Sequence, residues 1–159
     1  MKKTALALAT VAPLVFAGTA NAKDVGGKFG LGGQAAFGAT DAPSGLSLKY
    51  WIADFGFEGN LGLAINGATD TTHLGLGVHF LYNFARANDT NMYASAGINL
   101  GLIDSDSAVI AVRLGVEHFF TDHFSVGGHV GLGLDVGGDD VSLTIGNASQ
   151  WGTSFHFYF

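Results

Sequence analysis

The stretch HLGLGVHFLYNF, residues 73–84, decides the fold. Leu74, Leu76, Val78, Phe80, Tyr82 and Phe84 share one parity, and His73, Gly75, Gly77, His79 and Asn83 take the other. A period of two belongs to a β-strand, whose successive side chains point to opposite faces, and not to a helix. The apolar parity is bulky. The other parity, Leu81 apart, is small or polar and carries no Lys, Arg, Asp or Glu. A soluble barrel must clothe its outer face in charge and long polar side chains, and these residues make a poor coat for water. They fit a strand with lipid on one side and a narrow, crowded interior on the other.

The same alternation returns on both sides of this stretch. Phe29 to Phe37, Leu46 to Ile52 and Phe57 to Ile65 precede it; Met92 to Leu102, Ile110 to Val116, Phe124 to Leu134 and Trp151 to Phe159 follow it. Val141, Leu143 and Ile145 keep the parity of the last run, so the eighth strand is expected to begin near Val141. Turn-rich segments at 38–45, 53–55, 66–71, 85–90, 103–107, 121–123 and 137–140 separate the runs. Short connections imply antiparallel neighbours. Runs of about 9–11 residues match what a tilted transmembrane strand needs. The expected architecture is all-β: an eight-stranded antiparallel up-and-down transmembrane β-barrel, closed so that no backbone edge meets hydrocarbon.

Composition agrees. Only 13% of residues are charged, about half the usual soluble share. There is no cysteine, so disulfides, thiolate metal sites and lipidated cysteines are excluded. The first segment reads as a signal peptide over residues 1–22. Lys2 and Lys3 open it, Ala5 to Ala17 is apolar, and Ala20-Asn21-Ala22 matches a small-x-small cleavage site, so the mature barrel domain is expected to run from Lys23 to Phe159. Removing the two lysines leaves 5 basic residues against 13 acidic ones. That balance argues against nucleic acid as a partner, since phosphate binding needs a basic face. The glycines of Gly30-Leu31-Gly32-Gly33 lie within a strand with no helix after them, so they are no nucleotide motif.

Phe55, Phe57, Tyr82, Phe84, Phe119, Phe120, Phe124, Phe157 and Phe159 gather near one set of strand ends, the end that also holds both chain termini. They are expected to form an interfacial girdle. The last strand, Trp151 to Phe159, alternates aromatics and stops on a terminal Phe. With the leader and the eight runs, it resembles the small eight-stranded outer-membrane barrels of Gram-negative bacteria, the OmpA-like and OmpX-like group. The resemblance spans the whole mature chain. It implies residence in the outer membrane among its lipids and lipopolysaccharide. It also implies that Phe155, Phe157 and Phe159 serve as the signal read by the barrel assembly machinery. It does not specify an activity, and the short outer loops depart from adhesin-type relatives.

Four charges fall on the inward parity: Lys49, Glu58, Arg113 and Glu117. Charges facing a narrow lumen are costly unless paired or hydrated. The expectation is that Arg113 and Lys49 meet Glu58 and Glu117 across the barrel and plug it, with Gly62 and Gly115 making room; the alternative is an open channel in which each charge is solvated. His79, His129 and His156 also face inward, without the close i, i+2 pairing of a metal site, and no metal or other cofactor is expected. His118 and His123 flank a turn with Asp122. Asp41, Asp70, Asp104, Asp106, Asp139 and Asp140 make an acidic rim at the other end. It reads as a solvated rim, or as one that divalent cations bridge to lipopolysaccharide phosphates. Three functions follow. They are a structural envelope barrel with a plugged lumen, a small passive pore for ions or small solutes, and a lipid-modifying enzyme. The enzyme reading ranks last, because Ser149 and Thr153 on the outer lipid face have no His as a base, and no catalytic residue is assigned.

Overall fold

A computed structural model describes residues 23–36, 44–66, 70–103, 108–136, 142–145 and 151–159. The leader, most of the acidic rim (Asp41, Asp104, Asp106, Asp139 and Asp140) and Ser149 lie outside the described residues. The elements are all strands: β1 (Phe29–Ala36), β2 (Gly45–Ile52), β3 (Phe55–Asn66), β4 (Thr71–Ala87), β5 (Thr90–Ile103), β6 (Ala108–Phe119), β7 (Phe124–Asp135), β8 (Ser142–Ile145) and β9 (Gly152–Tyr158).

Each strand pairs antiparallel with the next from β1 to β7. The circle closes through β9, which lies between β7 and β1. The eighth stave begins beside β7 as expected, but it comes in two pieces. β8 pairs at Leu132↔Ile145 and β9 at His129↔Gly152, so three register steps along β7 answer to seven in the numbering of the stave. The two pieces therefore differ in register against β7, where parity alone had drawn one run.

The ladder also sets the tilt. Rungs lead from Phe29 through Tyr50, Phe57, Phe80, Ala96 and Val112 to Leu132. Across the seam, Phe29 pairs with Phe159, whose register leads to position 122. The two arrivals, 132 and 122, differ by a stagger of ten residues. For eight strands this corresponds to a tilt of about 40°.

Burial is inverted relative to a soluble protein. Lys49 and Glu117 are 1% and 0% exposed, whereas Leu63 and Ile65 are 60% and 72% exposed. An outer face of Leu, Ile, Val and Phe belongs in hydrocarbon. Rings cluster on that face near the terminal end: Phe55 stacks on Phe80 at 5.6 Å and Phe124 on Phe157 at 4.9 Å. Phe119 is a correction. It is 2% exposed, with its ring 5.5 Å from Tyr158 inside the barrel. Its parity on β6 is that of Arg113 and Glu117, so it points inward while Phe120 stays outside.

Candidate functional site

Four large aromatics enter the lumen, and three of them face a glycine across a rung: Trp51↔Gly56, Tyr93↔Gly115 and Tyr158↔Gly30. A Cβ on Gly115 would lie 2.2 Å from the Tyr93 ring, one on Gly56 2.6 Å from Trp51, and one on Gly30 2.8 Å from Tyr158. The glycines are the room the rings occupy. This corrects the expectation for Gly115, which houses Tyr93 and not a charge. Trp51, Leu81, Tyr93, Phe119 and Tyr158 join Val25 in one buried cluster at the terminal end.

Next to this layer sit the four predicted charges, all buried. Lys49 Nζ stands 3.3 Å from Glu58 Oε2 and 3.5 Å from Glu117 Oε2, with the Tyr93 ring centroid 5.0 Å away. Arg113 reaches Glu58 at 3.7 Å. The structure thus brings both carboxylates to Lys49 and attaches Arg113 through Glu58. The closest carboxylate to Arg113 is not Glu117. Two cations and two carboxylates balance, which lowers the cost of keeping charge inside.

Neutral groups complete the network. Glu117 Oε1 accepts hydrogen bonds from Ser125 Oγ at 2.6 Å and from the Tyr158 hydroxyl at 2.8 Å, and that hydroxyl accepts from Trp51 Nε1 at 3.3 Å. Glu58 accepts from Asn60 Nδ2 at 2.8 Å. Asn99 Oδ1 accepts from Arg113 at 3.3 Å and lies 3.0 Å from His79 Nε2. His156 Nε2 lies 2.9 Å from Ser47 Oγ, and its Nδ1 is 3.6 Å from Glu117. The three inward histidines are thus bound up with, or buried beside, this network. Among the described residues no three ligating side chains come together as a metal group. Some buried polar atoms have no hydrogen-bond partner, among them the side-chain amides of Asn83 and Asn91, Asn60 Oδ1 and Arg113 Nε.

The other candidates sit outside the lumen. His118 bonds Thr90 at 2.8 Å, and His123 Nδ1 lies 2.9 Å from the Tyr158 carbonyl oxygen. Asp122 pairs with Lys23, whose hydrogen bond and charge hold its carboxyl below the usual carboxylate range. Thr153 faces outward between Ala35 and Gly128.

The apolar layer is what sequence reading missed. Its signal was present: Trp51, Tyr93 and Tyr158 all fall on the inward parity, each opposite a glycine of the adjoining strand.

These features define a class: a closed eight-stranded antiparallel barrel, apolar outside and polar within. No family model matches the chain, and no curated protein matches it in sequence. Among solved structures it is similar to the N-terminal β-barrel domain of Pseudomonas aeruginosa OprF, at a TM-score of 0.54 and 18% identity over 83% of this chain and 96% of that one. The likeness is one of fold.

Proposed function

We propose that the chain is an integral outer-membrane barrel with a structural role in the envelope and a lumen plugged by its own side chains. The observation that carries the reading is the pair of blocks in series across the lumen. The Lys49, Glu58, Glu117 and Arg113 network spans it, and the apolar cluster stands beside that network. Eight-stranded barrels are narrow enough for side chains to fill. The apolar exterior would sit among outer-membrane lipids and lipopolysaccharide. The alternating Phe155, Phe157 and Phe159 would be read by the assembly machinery during insertion. No catalysis is assigned: around the lipid-facing hydroxyl of Thr153 the rung neighbours are Ala35 and Gly128, which offer no base.

The test is to express the full chain in a Gram-negative host, fractionate the membranes and reconstitute the protein in planar bilayers. The protein is expected in the outer-membrane fraction and electrically silent. Recovery in the soluble fraction without detergent overturns the location. A second reading, a small passive pore, draws on the buried Asn83 and Asn91 amides, which suit bound water. Steady single-channel steps from the unmodified protein would favour it over the plug.

A further inference from the structure

Residues 23–28 precede the first strand, yet Val25 is 1% exposed and belongs to the apolar cluster inside the barrel. Its local chemistry explains how it gets there. Lys28 N donates to the Val25 carbonyl at 3.1 Å, and Gly27 has φ +76°, so Val25 to Lys28 is a tight turn with glycine where a type II turn requires it. Asp24 Oδ1 accepts from Gly26 N at 2.8 Å and stiffens the approach. The turn is stitched to β2: Gly27 N donates to the Trp51 carbonyl at 2.7 Å, and Trp51 N to the Lys28 carbonyl at 3.3 Å.

The other end of the segment is tied elsewhere. Lys23 pairs with Asp122 in the β6–β7 turn. In the circular strand order, β7 lies three strands from β2 one way round and β6 four strands the other way. The segment therefore runs close to a diameter of the mouth, with Val25 between its two anchors. Asn91, at the same end on the inward face of β5, is 0% exposed.

We propose that residues 23–27 are a strap laid across the terminal mouth of the barrel, with Val25 as its stopper, and that this strap keeps bulk water out of the lumen from that side. The inference goes beyond the plugged-barrel reading, because it locates a removable seal distinct from the wall's own side chains. Lifting the strap breaks no strand pairing.

The chain has no cysteine, so one introduced thiol is an unambiguous reporter. Asn91→Cys in the full-length, membrane-extracted protein is probed with a membrane-impermeant maleimide. Labelling is expected to be slow in the otherwise unaltered chain. Val25→Gly should speed it about tenfold by removing the buried side chain that holds the strap down. Gly27→Val is the second variant. A Cβ at Gly27 meets nothing within 4 Å, so the side chain starts into open space. It strains only the turn, and about a tenfold rise is again expected. Sheet content by circular dichroism should not change. Rapid labelling in the unaltered strap, or an unchanged rate in Gly27→Val with the barrel intact, overturns the proposal. Electrical silence of the unmodified protein is a separate readout, so the strap can fail while the plugged lumen stands.

Discussion

The two halves of the lumen are built by opposite rules. Toward the terminal end, the inward positions of β2, β5, β6 and β9 carry Trp51, Tyr93, Phe119 and Tyr158, and the charges stand against them. Toward the other end the same parity turns to Gly62, Gly75, Gly77 and Gly133, with Asn99 and His79 among them. One wall thus encloses a dense half and a half built from small residues. Bulk prevails where the rings meet their paired glycines, and polarity where the side chains shrink.

Substitutions can break or sharpen this contrast, and their expected effects fall in order. Glu117→Ala removes the acceptor for Ser125 and Tyr158 and one partner of buried Lys49. It should cost about 3–5 kcal/mol of unfolding free energy, measured by urea titration in lipid vesicles. Trp51→Ala empties the dense half and is expected to approach the same loss, about 3 kcal/mol or more, by the same measurement. Gly115→Val drives a side chain into the Tyr93 ring, at about 1–3 kcal/mol. Adding Tyr93→Ala to Gly115→Val should recover part of that, because it vacates the space in dispute. By contrast Ser154→Ala, away from the rings, should stay within about 0.5 kcal/mol.

Two effects at the terminal rim are smaller. Ala53 has φ +52°, a left-handed conformation that costs an alanine energy and a glycine little. Ala53→Gly is expected to raise the unfolding midpoint, by at most about 1 kcal/mol. Asp122 titrates below the ordinary carboxylate range because Lys23 bonds and attracts it. A lowered value adds stability above the ordinary range, and that stability is lost as pH falls through the lowered value. The unmodified protein should therefore lose stability in acid slightly more steeply than Asp122→Asn. Comparing urea midpoints from pH 5 downward checks the sign.

Much of this was legible in the alternation. Parity places Lys49, Glu58, Arg113 and Glu117 inside because a strand offers only two faces. Their partners were not legible. Lys49 on β2 meets Glu117 on β6 only because tilted strands carry distant residues to one level, and that stagger follows from registers no single strand contains. Phe119 misled for a related reason. A cluster of end aromatics suggests a girdle, while the parity it shares with Glu117 sends it inward. The Val25-Gly26-Gly27-Lys28 turn can be read from its glycines, but what a turn covers depends on the mouth beneath it.

The seam between β1 and β9 has a consequence for assembly. Every other neighbouring pair of staves adjoins in the chain and can zip as a hairpin, but Gly30 and Tyr158 meet only when the two ends of the chain are brought together. Until then the open sheet has two raw margins able to recruit a foreign strand. Joining its ends is the most non-local event in folding and is expected to be the slow one. A cell making this protein would therefore need to chaperone the open ribbon longest just before its first and last strands find each other.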